Sequence, residues 1–271
     1  RRIDVPISAD AGLAAGQLVT ALEQRRAPRG LRALWLRERL QDRMRYLDDV
    51  ATRRSETIHP LTLGRELAKR LPANAIVVGD GADVQNWMYG ALRVREAPGF
   101  LDHYPMGAMG IGTPLAVGAA AAARELAVAD GSPLRPVLLT TGDGSFGFYP
   151  AELHAAAQAG LKLVCVVGND GAWGTELHGQ LHAIKRSVNT ELGFLRYDLV
   201  GQGFGCHGEH VEKPAQLDAA LNRAFAANGP SVVNVVIDRQ AGIQLKTDPL
   251  AQMILFDDLA TNLKTQHNFA G

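Results

Sequence analysis

Two acidic residues, Asp143 and Asp170, each follow an apolar run of the sequence. Asp143 comes just after Pro136–Thr141 and is enclosed by glycines in Gly142-Asp-Gly-Ser145. Glycines on both sides of an acid let the backbone turn sharply and bring N–H groups close to an anion. The acid itself would repel a phosphate unless a cation lay between them, so Asp143 is predicted to bind Mg²⁺. Taken alone, the segment is better explained as an ordinary Asp-Gly turn, because such turns are common in loops.

Asp170 changes the balance between these two interpretations. It lies 27 positions after Asp143 and ends the apolar run Leu161–Gly168. A helix and a strand fill that interval, as the crossover of a parallel βαβ unit requires. We therefore expect both acids at the same edge of adjacent strands, where they form a metal-bridged diphosphate site. A nucleotide-binding Rossmann domain is disfavoured, because no Gly-x-Gly-x-x-Gly opens a helix after a strand with an acid downstream.

The Gly-Asp-Gly triplet, followed after 24 intervening residues by a doublet containing Asn169, resembles the binding motif of thiamine-diphosphate enzymes. The resemblance implies that the side chains of Asp143 and Asp170 and the carbonyl of Ala172 bind Mg²⁺. It also implies that the diphosphate contacts Gly142, Gly144 and Ser145. One departure concerns position 170, where the family usually has Asn. A carboxylate still binds Mg²⁺, but it adds negative charge.

The resemblance extends to segments on either side of the triplet. Gly99–Gly112 is similar to the stretch that supports the bent cofactor, which makes Met109 the supporting residue. It makes the carbonyl of Gly107 the acceptor for the 4′-amino group. The loop Gly79–Val84 matches a further diphosphate-side loop. The remaining cofactor contacts implied by the resemblance are Ala82, Trp173 and Gly174.

These segments are most similar to those of benzaldehyde lyase, acetolactate synthase and 2-hydroxyacyl-CoA lyase. The implied function is a carbon–carbon lyase or carboligase acting on 2-hydroxyacyl substrates, CoA-linked or free, or on 2-keto substrates. The alternatives are condensation of 2-keto acids, as in acetolactate synthase, and a non-catalytic cofactor-binding subunit. Glu176 and Met109 are the catalytic candidates, Glu176 as a proton shuttle, although a solvated surface role suits Glu176 equally well. His103, His178 and His182 are candidates for substrate contact.

Strands that alternate with helices predict an α/β fold, a three-layer parallel sheet with helices on both faces. We divide the chain into the tail of a central domain (1–27), a linker helix (28–56), the diphosphate-binding domain (57–240) and a C-terminal tail or lid (241–271). The opening residues Ile3–Ile7 are expected to form a strand. The chain starts without Met, so we expect another segment or subunit to supply a pyrimidine-binding domain. In the family, that domain carries the glutamate that activates the cofactor.

Composition narrows the classes of partner. The 271 residues include 28 basic and 28 acidic side chains. A net charge of zero gives no electrostatic reason to expect nucleic acid or an anionic membrane. Cys165 and Cys206 are far apart, and we expect buried free thiols in a reducing cytoplasm. The expected assembly is a homo- or hetero-oligomer that acts on a small molecule.

Overall fold

The computed structural model describes residues 4–25, 31–52 and 56–243. The chain divides into two compact units, Arg1–Arg45 and Tyr46–Gly271. Helix α1, Ala11–Glu23, begins at Asp10, whose side chain accepts from the amide of Leu13. Helix α2, Leu31–Thr52, continues from the first unit into the second.

The strand expected at Ile3–Ile7 is wrong for the part of it that the structure describes. Asp4–Ile7 form bends and irregular chain, and Val5 and Ile7 are exposed. A strand needs a hydrogen-bonded neighbour. Within the described ranges no segment pairs with these residues, so their apolar character alone does not make a strand.

The second unit contains a six-stranded sheet in the order β2-β1-β3-β4-β6-β5. All five strand pairs are parallel. The strands are β1 Ile76–Asp80, β2 Phe100–Leu101, β3 Val137–Gly142, β4 Val164–Asn169, β5 His207–Val211 and β6 Ser231–Val236. The predicted α/β class with a parallel sheet is therefore confirmed.

Helices cover both faces of this sheet. They are α3 Pro60–Ala68, α4 Asp83–Ala91, α5 Gly112–Asp130, α6 Asp143–Phe146, α7 Glu152–Gln158, α8 Gly174–Ile184, α9 Tyr197–Gly203 and α10 Pro214–Ala226. Leu138 packs with residues of α3, α4 and α10, whereas Leu139 packs with residues of α5, α7 and α9. Alternate strand residues thus enter two separate cores, as expected for a sheet buried on both sides.

Strands β3 and β4 are hydrogen-bonded neighbours, and Gly142 pairs with Gly168. The chains that leave them therefore emerge side by side at the carboxyl edge of the sheet, which confirms the predicted proximity of Asp143 and Asp170. Strands β2 and β5 were not predicted, since they are edge strands without a continuous apolar run. Both residues of β2 are exposed, and β5 is half-buried along most of its length.

The remaining observations concern the C-terminal segment, membrane crossing and the two cysteines. Residues 241–243 form one helical turn, and the rest of the expected tail or lid lies outside the described residues. Among the described helices, none combines the length and the hydropathy that crossing a bilayer demands. Cys165 and Cys206 are free and buried, as expected.

Candidate metal and cofactor site

Asp143 is the first residue of α6, directly after β3, and it is buried. Its Oδ1 accepts a hydrogen bond from the amide of Gly144 at 2.9 Å. Its Oδ2 accepts one from the amide of Ala172 at 3.1 Å. The carboxylate is thus held by backbone donors from its own turn and from the loop that follows β4.

Asp170 approaches Asp143 from the neighbouring strand. Its Oδ1 accepts from the same Ala172 amide, at 3.2 Å. Asn169 points elsewhere: its Nδ2 donates to the carbonyl of Leu195 and to the Asn234 side chain on β6. Of the predicted doublet, therefore, Asp170 meets Asp143, and Asn169 anchors the loop to the sheet.

Two buried carboxylates this close strongly affect each other's ionisation. Burial, followed by the charge of Asp170, raises the pKa of Asp143 to about 8. Burial also raises the pKa of Asp170, against the lowering effects of the Ala172 amide and the Arg239 guanidinium. A proton held between the two carboxylates would remove one of their negative charges. We place this proton on Asp143, because the Arg239 guanidinium favours the charged form of Asp170. Such a pair is suited to a divalent cation, which would replace that proton.

Arg239 contacts the loop that follows β4 and carries Asp170 and Ala172, the candidate metal loop. No motif in the sequence indicated this role for Arg239. Its Nε donates to the carbonyl of Asp170 at 2.6 Å, and its Nη2 donates to the carbonyl of Gly171 at 3.0 Å. Its guanidinium lies 5.4 Å from the centre of the Phe194 ring. No local signal could have identified this residue, because it lies 69 positions beyond Asp170.

Asp80 is a second residue that sequence reasoning missed. It ends β1, is fully buried, and accepts from the amides of Gly81 at 2.8 Å, Gly110 at 3.3 Å and Gly112 at 2.8 Å. It therefore ties the end of β1 to the turn around Met109. The signal was available, since Gly79-Asp80-Gly81 repeats the triplet around Asp143 at the end of the adjacent strand.

Met109 lies beside the Gly-Asp-Gly turn, and its support of the cofactor stays a prediction. Its Sδ accepts a hydrogen bond from Ser145 Oγ at 3.2 Å. Gly107 is exposed and lies outside the set of residues that line the cleft. Met109 therefore lies with Ser145 among the residues that line the cleft, whereas Gly107, two positions earlier in the chain, lies outside that lining.

Trp173 forms one wall of the cleft by packing on Gly144. A Cβ on Gly144 would lie 2.7 Å from the indole ring, so only glycine allows this contact. Trp173 also contacts Phe148, with ring centres 5.8 Å apart. Glu176 is exposed in the first turn of α8. The aromatic wall and the exposed acid face the same opening.

The cleft is open to solvent. The residues that line it include every residue predicted to act in catalysis or to bind the metal or the cofactor, except Gly107. They are Gly81, Ala82, Asp83, Val84, Met109, Gly142, Asp143, Gly144, Ser145, Asp170, Ala172, Trp173, Gly174, Thr175 and Glu176. Asp83 is an additional acid in this set. Four carboxylates and no basic side chain occur among these residues.

The three histidines differ in position. His103 and His178 are buried, whereas His182 is exposed on α8. His103 stacks on Tyr104 with ring centres 4.4 Å apart. None of the three belongs to the cleft lining among the described residues, so their expected contact with a substrate stays a prediction.

The residues present fit a metal-bound diphosphate. A cation can replace the proton between Asp143 and Asp170, and hard oxygen ligands are those that Mg²⁺ prefers. The amides of the turn after β3 and the first turn of α8 border the same cleft. Backbone N–H groups at such positions favour phosphate oxygens.

Comparison with known proteins gives a consistent result. Residues 76–235 match the family model described as thiamine pyrophosphate enzyme, C-terminal TPP binding domain. An acetolactate synthase large subunit of Mycobacterium tuberculosis is 39% identical over 67% of this chain and 32% of that protein. The 2-hydroxyacyl-CoA lyase 2 of Caenorhabditis elegans is 31% identical over 67% of this chain and 28% of that protein.

Among solved structures, benzoylformate decarboxylase from Polynucleobacter necessarius superposes with a TM-score of 0.61 at 23% identity. That match covers 69% of this chain and 35% of the decarboxylase, and it shows a shared fold. The chain spans about a third of the length of the curated relatives that it matches.

Proposed function

The chain belongs to the thiamine pyrophosphate enzymes, as their C-terminal cofactor-binding domain, and on that premise we propose that Asp143 and Asp170 bind thiamine diphosphate through Mg²⁺. The observation that carries the proposal is the shared Ala172 amide, which brings two buried carboxylates together at the ends of adjacent strands. The carbonyl of Ala172 completes the proposed set of protein ligands.

The residues around the pair each have a part in holding the cofactor. Gly142, Gly144, Ser145, Ala82 and the first turn of α8 line the cleft and would hold the diphosphate. Met109 would support the bent conformation of the cofactor, because a flexible thioether can fill the space between two rings. Trp173 lines the cleft and is held in place by its ring contact with Phe148. When bound, the cofactor supplies an electron sink for making or breaking a carbon–carbon bond.

We assign to Glu176 the movement of a proton near the reacting carbon. It borders the cleft on the first turn of α8, beyond the metal loop, and it is exposed. An exposed carboxylate exchanges protons readily with water, which suits a shuttle better than a group that must stay charged. General acid–base help of this kind is typically worth ~10²–10⁴-fold in rate.

The proposed activity is that of a lyase or carboligase acting on 2-hydroxyacyl substrates, CoA-linked or free, or on 2-keto substrates. The similarity to 2-hydroxyacyl-CoA lyase 2 supports this activity. A second candidate, condensation of two 2-keto acids, is favoured by the higher identity to an acetolactate synthase large subunit. The two candidates share the cofactor site and differ in the acceptor substrate.

A pyrimidine-binding domain from another segment or subunit is part of the proposal. Apolar and aromatic side chains are exposed beside the cleft: Met106, Ile111, Phe148 and Tyr149. Contiguous exposed apolar surface is typical of protein–protein contacts. We propose that the partner domain covers this surface and presents a carboxylate to the aminopyrimidine.

The test compares this chain alone with the chain joined to the pyrimidine-binding part of a full-length relative. Exchange of the C2 proton of bound thiamine diphosphate reports activation of the cofactor. Cleavage of a 2-hydroxyacyl-CoA and condensation of pyruvate report the two activities. Slow exchange alone and rapid exchange in the joined protein support the proposal. Rapid exchange by the isolated chain contradicts the partner's role, and exchange without either activity favours the non-catalytic alternative.

A further inference from the structure

A second group of potential metal ligands lies next to the proposed Mg²⁺ site. One ligand atom each from Asp83, Asp170 and His178 lies within 4.8 Å of the others. Asp170 and His178 are buried, and Asp83 is partly buried. The three residues come from the first turn of α4, the loop after β4 and the middle of α8, so separate elements direct them to one point.

The geometry around two glycines locates that point. A Cβ on Gly174 would lie 2.7 Å from Asp170 Oδ2 and 2.9 Å from Asp83 Oδ2. A Cβ on Gly242 would lie 2.3 Å from His178 Nε2 and 3.0 Å from Asp83 Oδ1. Asp83 therefore faces Asp170 with one oxygen and His178 with the other.

Asp170 supplies an independent observation that points to a ligand at this place. Its Oδ1 is used by the Ala172 amide, on the side of Asp143. Its Oδ2 is buried and, within the described part of the chain, accepts no hydrogen bond. A buried carboxylate oxygen without a donor is costly, so it calls for a cation or a proton.

The charge of the cleft also calls for more than one cation. Asp83, Asp143, Asp170 and Glu176 line it without a basic side chain among the described lining residues. Arg239 contacts the backbone carbonyl of Asp170 from behind the loop. A single Mg²⁺ compensates two carboxylates, and a diphosphate brings further negative charge.

We propose that Asp83, Asp170 and His178 form a second divalent-metal site that shares Asp170 with the Mg²⁺ site. Asp170 then bridges two ions, Oδ1 on the side of Asp143 and Oδ2 on the side of His178. An imidazole beside two carboxylates favours a transition metal over Mg²⁺, and Zn²⁺ is high in the affinity order for such ligands. Three protein ligands leave a coordination position open to water or to an anion.

The test measures Zn²⁺ bound by the chelator-stripped protein in equilibrium dialysis with a large excess of Mg²⁺. We expect one Zn²⁺ per chain. His178→Ala and Asp83→Asn should weaken Zn²⁺ binding by at least the ~10–100-fold that loss of even an outer-sphere partner costs. The matched control is His182→Ala, an exposed histidine on the same helix, which should bind Zn²⁺ like the wild type.

A measurement on the unmodified protein guards against variants that fail to fold. X-ray absorption of the Zn²⁺-loaded wild type should show one imidazole nitrogen at about 2.0–2.1 Å among oxygen ligands. An oxygen-only shell, or equal Zn²⁺ affinity in folded His178→Ala and wild type, overturns the second site.

Thiamine diphosphate binding with Mg²⁺ is measured in parallel, so that a failure of the second site can be distinguished from a failure of the proposed function. Cofactor binding without a histidine-bound Zn²⁺ removes the second site and leaves the proposed function. Histidine-bound Zn²⁺ without cofactor binding supports the second site and removes the proposed function.

Discussion

Asp143 and Asp170 accept hydrogen bonds from one and the same amide, the N–H of Ala172, at 3.1 and 3.2 Å. Backbone amides carry no net charge and cannot balance two buried negative charges, so the pair needs a proton or a cation between its members. The raised pKa of Asp143, about 8, reflects that need. The same relationship explains why the loops after β3 and β4 act as one site.

The stability of the metal-free protein should depend on pH through Asp143. Its folded pKa of about 8 lies above the ordinary value of 3.8, so the folded state binds more protons between these pH values. This contribution to stability is complete below about pH 4 and is lost as the pH rises through 8. The side chain in Asp143→Asn cannot ionise, so the difference between the wild type and this variant isolates the contribution of Asp143 from those of other acids.

Urea unfolding at pH 5 and pH 8 provides the measurement. The free energy of unfolding should fall more from pH 5 to pH 8 in the metal-free wild type than in Asp143→Asn. Saturating Mg²⁺ should reduce the difference, because the cation replaces the proton. Identical pH dependence of wild type and variant would show that Asp143 is not protonated in the folded state.

Substitution of the two acids should have unequal effects. Asp143→Ala should lose both Mg²⁺ and thiamine diphosphate, because it removes a ligand and leaves Asp170 without its counterpart. Asp170→Asn should keep both, since an amide oxygen still binds Mg²⁺ and one negative charge is removed. Calorimetric titration of each variant checks this order. Loss of cofactor binding in Asp170→Asn, with the fold intact, would contradict the assigned roles.

Asp80→Asn should destabilise the protein and disturb the Met109 turn. The carboxylate accepts from three backbone amides, and an amide side chain offers only one oxygen. A buried donor left unsatisfied costs about 1–3 kcal/mol. Chemical denaturation measures the loss, with exposed Glu152→Gln on α7 as the control. A loss no greater than that of Glu152→Gln would mean that Asp80 does not hold this turn.

Glu176→Gln should lower turnover while leaving the affinity for thiamine diphosphate nearly unchanged. Glu176 is exposed and borders the cleft on the first turn of α8, six positions beyond the proposed metal ligand Asp170. The chain joined to a pyrimidine-binding partner is the protein to assay, with Glu125→Gln, exposed on α5, as the control. An unchanged kcat would return Glu176 to the role of a solvated surface residue.

Local sequence signals predicted those parts of the fold and site that depend on residues close together in the sequence. The apolar runs before Asp143 and Asp170 identified β3 and β4, and the crossover length made them neighbours. The edge strands were not predicted, because β2 has two exposed residues and β5 carries two histidines and a glutamate in place of an apolar run.

The contacts that hold the site depend on residues far apart in the sequence. Arg239 reaches the loop of Asp170 only through the fold, and its guanidinium bonds backbone carbonyls that carry no sequence signal. The approach of His178 to Asp83 likewise depends on where the fold places α8 and α4. Asp80 could have been predicted, because its glycine neighbours match those of Asp143 at the end of an adjacent strand.

The most direct test of the central claim is calorimetric titration of the purified chain with thiamine diphosphate, once in Mg²⁺ and once in EDTA. The buried acids Asp143 and Asp170 cannot hold a diphosphate without a cation, so we predict saturable binding of one cofactor per chain in Mg²⁺ and none in EDTA. Equal affinity in the two buffers, or no binding in either by the folded protein, would contradict the account.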